Sequence, residues 1–182
     1  MIRQAVFGIA LGTVVLTSGL TSTPLPGHSS TKVIINNNPF DVPSNSVAVS
    51  NSPFKNTTLE KVVFKRVNSY RIAKGLPKLK LNSRISRQAR VHSLNMARKR
   101  VPFSHNGFEK RVTSIPLRFT SAAENVAFNQ GYNDPAAEAV RGWLDSPGHY
   151  KSIVGNYDLT GIGVATNKEG EVYLTQIFLR SK

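Results

Sequence analysis

The dipeptide Pro147-Gly148 constrains this fold more than any other feature, because it interrupts a run that otherwise has helical periodicity. Proline fixes its own φ, lacks an amide donor and biases Ser146 away from helical geometry, while Gly148 reaches dihedrals closed to other residues. A helix carrying Ala136, Val140 and Trp143 on one stripe must therefore stop here, and the chain must turn. The full run is Trp143-Leu144-Asp145-Ser146-Pro147-Gly148-His149, so an imidazole is delivered just past the stop. A rigid corner that presents a histidine is a common way to build a site. Two upstream segments are candidates to meet it: Ser104-His105-Asn106 and Ala123-Glu124-Asn125-Val126-Ala127.

The remaining elements follow from periodicity and caps. Thr57-Thr58-Leu59-Glu60 fits a capping box, which places the start of the folded domain at residue 57, with Val63, Val67 and Tyr70 as the inward stripe. Gly75 suits the left-handed position after a helix, and Pro77 confirms the end. A second helix is predicted from Asn82 or Ser83, with Ile85, Ala89, His92 and Met96 on one face. A histidine on such a stripe reads as a hydrogen-bonded core residue. Val101 to Phe119 shows little periodicity and reads as an irregular loop around His105. Asn133-Asp134-Pro135 starts another helix, on which Glu138 lies off the apolar stripe and is expected to be solvated. Residues 161–166 and 172–179 flank Asn167-Lys168-Glu169-Gly170, a hairpin signal. Helices first and an antiparallel hairpin last make an α+β layered domain.

The N-terminal third has a different character. Residues 1–22 read as an export signal, either cleaved or kept as an anchor, with Arg3 followed by an apolar stretch from Ala5 to Leu20. Residues 23–56 are rich in proline, asparagine and serine and read as a disordered linker, with 57–182 as the domain. The sequence has no cysteine, which excludes disulfides, thiolate metal sites, cysteine nucleophiles and a lipoprotein anchor. A net charge of +14 points to anionic partners, either envelope polymers or lipid head groups. Arg84, Arg87, Arg90, Arg98 and Lys99 on the second helix form the candidate basic face. Nucleic acid is disfavoured, since aromatic residues for stacking are scattered rather than interleaved with this charge.

Glu124 stands between Ala122-Ala123 and Val126-Ala127-Phe128, an apolar setting in which a carboxylate is costly unless paired. That marks it as a better site candidate than any surface acid. Taken in order, the pieces Val67-Asn68-x-x-Arg71-x-x-x-Gly75-Leu76-x-x-Leu79, His92 and Met96, Ser104-His105, Ala123-Glu124-Asn125-Val126-Ala127, Trp143-x-x-Ser146-Pro147-Gly148-His149 and Gly161-x-Gly163-Val164 resemble the CAP superfamily, or SCP domain, in its bacterial, cysteine-free form.

The resemblance implies an α-β-α sandwich with a central antiparallel sheet and a cleft that holds two histidines and two acids, able in some members to bind a divalent metal such as zinc. His105, Glu124 and His149 match three of those positions; the fourth, an acid three residues after the tryptophan, is Ser146 here. The implied function is a secreted or envelope-associated, monomeric and non-catalytic binding module. The alternative is a metal- or histidine-dependent hydrolase of peptide or phosphodiester bonds, with His105 or His149 as general base and Glu124 orienting it.

Overall fold

The computed structural model describes residues Gln4–Phe7 and 53–182, with side chains from Asn56 onward. The predicted hairpin is the centre of the sheet. Strands β4 (Leu159–Thr166) and β5 (Glu171–Ser181) pair antiparallel across Asn167–Gly170. The Asn167 side chain accepts from the amides of Glu169 and Glu171 at 3.1 and 3.0 Å, and Gly170 takes φ +78°. Five strands form one sheet in the order β1-β3-β5-β4-β2. Strand β3 (Phe119–Gln130) lies antiparallel to β5, and β1 (Gln4–Phe7) pairs antiparallel with Ala127–Gln130 of β3. The short β2 (Lys80–Leu81) runs parallel to β4, so the sheet is mixed at that edge.

Helices cover both faces, because the inner strands alternate between two apolar sides. Ala123, Ala127, Leu174 and Phe178 pack with Val63 and Val67 of α1 (Pro53–Ala73), Val140 and Trp143 of α4 (Pro135–Asp145), and Ile153 of α5 (Pro147–Val154). Ala122, Ile177 and Leu179 pack instead with Ile85 and Ala89 of α2 (Ser83–Ala97) and with Phe108 and Val112 of α3 (Phe108–Thr113). This is the expected α-β-α sandwich. The helix α2 sits unusually close to β4: a Cβ on Gly163 would lie 2.1 Å from the Arg90 amide nitrogen, and one on Gly161 2.2 Å from that of Ser86. Only glycine permits that approach.

Arg71 ties the α1 end to the α5–β4 connection. It is 1% exposed and donates to the carbonyls of Pro77, Ile153, Gly155 and Tyr157 at 2.7–3.3 Å. Burial pulls its pKa down, and no carboxylate among the described residues pairs with it.

Several local expectations change. The first helix begins at Pro53, so residues 53–56 belong to α1 rather than to the linker, and Thr57 lies inside the helix. Glu60 is buried and its carboxylate meets Arg90 of α2, a tertiary pairing that the local signal does not announce. The segment read as an irregular loop contains α3, entered through Gly107 in the left-handed region and anchored by Phe108 and Val112. Glu138 is buried against Arg141 three residues on, not solvated. Of the segment read as an export signal only Gln4–Phe7 are described, as β1, and residues 8–52, which hold most of the linker, lie outside the described residues.

Candidate functional site

The cleft is assembled from three places. Alternation along β3 sends Glu124 to the α2–α3 side of the sheet and Asn125 to the other. The turn before α3 brings His105 over Glu124, and its Nδ1–H donates to Glu124 Oε1 at 3.1 Å. From α3, Arg111 donates to both carboxylate oxygens of Glu124, through Nε at 3.0 Å and Nη2 at 2.7 Å. The same guanidinium binds the carbonyls of Asn106 and His105 at 2.8 and 3.3 Å. It therefore clamps the histidine loop to the strand as well as neutralising the acid. His92 of α2 supports that loop from beneath, donating Nε2–H to Ser104 O at 2.9 Å. Its burial, the largest influence, lowers its pKa, which fits the core role read from its stripe.

The Pro-Gly corner supplies the opposite wall. Ser146 ends α4 and begins α5, Pro147 opens the new helix, and His149 falls in its first turn. His149 is 2% exposed, its ring centroid stands 6.1 Å from that of His105, and Asn125 Nδ2 donates to its carbonyl at 3.1 Å. Its Nδ1 lies 3.0 Å from Ser146 Oγ, while Nε2 has no hydrogen-bond partner among the described residues. Burial, and then the charge of His105, push its pKa down to about 4, so the ring is neutral at physiological pH.

His105 thus bonds Glu124 directly and stands beside His149, their ring centroids 6.1 Å apart. Arg111 is the residue that sequence reasoning missed. The only available signal was that a carboxylate in an apolar strand demands a partner; which cation answers is decided by where α3 lies. Asp145, adjacent to the family's fourth acid position, turns outward to Arg141 at 3.4 Å, and the hydroxyl of Ser146 takes the place beside His149.

This donor set does not fit a divalent metal. Both oxygens of Glu124 are engaged by a guanidinium, and a metal ion there would meet its positive charge. Among the described residues no three His, Asp or Glu side chains are grouped to hold an ion.

Residues 64–178 match the sequence pattern of CAP, the Cysteine-rich secretory protein family. The membrane protein YlbC of Bacillus subtilis (strain 168) is 35% identical over 140 residues, covering 73% of this chain and 38% of YlbC. YkwD of the same organism is 30% identical over 133 residues, covering 70% of this chain and 49% of YkwD. The chain therefore spans less than half the length of either relative. Among solved structures, an extracellular protein containing a SCP domain from Bacillus anthracis superposes with a TM-score of 0.60 at 24% identity, covering 76% of this chain and 45% of that one. An outer surface protein from Borrelia burgdorferi gives 0.59 at 16% identity, covering 69% and 94%. At these identities the structural likeness speaks for the fold alone.

Proposed function

The chain belongs to the cysteine-rich secretory protein (CAP) family, and from that premise we propose that it is a monomeric, non-catalytic binding module of the cell envelope or extracellular space. The observation that carries this reading is the state of Glu124. A carboxylate already neutralised by Arg111 supplies less compensating charge to a histidine that must become cationic in a reaction. It is also a poor ligand for a metal that would activate water. What the site does offer is a buried, neutral imidazole whose Nε2 has no hydrogen-bond partner among the described residues, on a ring that neighbours His105. Such an atom suits hydrogen bonding to a small polar ligand.

Location follows from two sequence features. The first 22 residues have the composition of an export signal. The charge of +14 suits retention on anionic envelope polymers or lipid head groups. No described helix is long and apolar enough to cross a membrane.

One observation favours the hydrolase alternative: the His105–Glu124 contact at 3.1 Å is the pairing that a general base and its orienting acid require. Calorimetry with zinc and assays on peptide and phosphodiester substrates separate the two readings, comparing the wild type with His105→Ala and His149→Ala. The binding reading expects no stoichiometric zinc and no turnover above buffer. Tight zinc binding lost in His149→Ala, or turnover lost in His105→Ala, would sink it.

A further inference from the structure

We propose that the cavity between the end of α2 and the β4–β5 hairpin is a binding site for the head group of an anionic membrane lipid. This rests on the envelope location proposed above but names a site away from the His105–His149 cleft. The cavity measures about 640 Å³, within the range of small-molecule sites. Its lining is divided by chemistry. Leu94, Ala97 and Ala165 supply apolar surface, while Arg98 and Lys99 from the helix end and Lys168 from the hairpin supply positive charge.

Two observations bear on the charge at the helix end. Arg66, Arg90, Arg111 and Arg141 each pair with a carboxylate. Of the cavity's own cations, Arg98 and Lys99 make no ion pair among the described residues, while Lys168 lies 3.9 Å from Glu169, the one acid in the lining. Lys99 also takes φ +56°, the one non-glycine residue with positive φ among those described. The helix closes there with Lys99 N donating to Met96 O and Arg100 N to Asn95 O, both at 2.9 Å, a turn for which glycine is the undemanding residue. A lysine costs backbone energy at that position and places its charge at the cavity.

The apolar half decides between classes of anion. Leu94 is 39% exposed, and Val91, three residues earlier on the same helix, is 48% exposed. A free inorganic anion has no use for that surface, and an uncharged lipid has none for the three cations. An amphiphile with a phosphate head and an acyl stem matches both.

The test is co-sedimentation of the full chain with vesicles of phosphatidylglycerol and phosphatidylcholine in equal parts, against phosphatidylcholine alone. Each cation near an anionic surface is worth about fivefold in affinity, so Lys99→Gly combined with Lys168→Gln should weaken binding about 25-fold. Lys99→Gly alone should weaken binding and raise the melting temperature together, because glycine relieves the left-handed backbone; a damaged fold would lower both. Leu94→Asn, which leaves the charge unchanged, should also reduce vesicle binding. A wild type that prefers anionic vesicles while these variants bind equally well overturns the cavity alone. No preference in the wild type removes the lipid-retention reading as well. Displacement from vesicles by millimolar glycerol phosphate, or an unchanged Leu94→Asn, would show that a free phosphate or a plain polyanion suffices and would overturn the lipid assignment.

Discussion

Replacing Arg111 with glutamine tests the reading of the cleft most directly. The side chains of Glu124 and Arg111 are 1% and 11% exposed, so solvent does little to screen their pairing. The substitution removes two charge-assisted bonds to the carboxylate and two further bonds to the carbonyls of Asn106 and His105. Leaving one buried partner uncompensated typically costs about 3–5 kcal/mol. His105 Nδ1 still donates to Oε1, which places the expectation near the lower end, about 3 kcal/mol. Urea unfolding at pH 7 is the assay, followed by fluorescence of Trp143, which is fully buried with its indole N–H on Val126 O. The variant should also bind zinc more tightly than the wild type, because the competing cation is gone. A loss under about 1 kcal/mol, the value of an exposed pair, would refute the claim that Arg111 neutralises Glu124 in a dry setting.

Other perturbations follow from the same structure. Gly163→Ala forces a methyl against the α2 backbone and should cost about 3 kcal/mol or more, since helix backbone cannot yield as a side chain can; a change below about 1 kcal/mol in urea midpoint analysis would mean that α2 is free to shift. Arg71→Leu strands the carbonyls now held by its guanidinium and should cost about 3 kcal/mol or more in the same assay, with a wild-type-like midpoint counting against it. His149 titrates near 4 when folded against 6.5 in its unperturbed state, so the unfolded chain binds the proton first. Its contribution is intact above about pH 6.5 and is lost as pH falls to about 4, amounting to about 3 kcal/mol. His149→Asn should flatten that part of the stability–pH curve, and an unchanged slope would assign it to other groups.

Much of the architecture is legible in the residues alone. The stripe Ile85, Ala89, His92 and Met96 is buried throughout, Asn82 caps α2, Asp134 caps α4, and Gly75 takes the left-handed position after α1. These signals are local: each depends on residues within a turn or two, where backbone geometry fixes which side chains share a face. The boundary errors have the same origin. Thr57-x-x-Glu60 satisfies the rule for a helix start, but Glu60 instead lies inside the packed domain, its Oε1 2.8 Å from Arg90 Nε and 3.3 Å from the Val164 amide.

The sequence by itself determined the helices α1, α2 and α4, the β4–β5 hairpin and the corner that presents His149, whereas α3, β1 and the strand character of β3 came only with the packed structure. Tertiary packing alone decided that Arg111 would clamp Glu124, that Arg90 would take Glu60, and that Arg71 would serve carbonyls more than eighty residues away. A buried charge advertises its need for a partner in its own neighbourhood, but the partner is chosen by whichever distant element packs within reach.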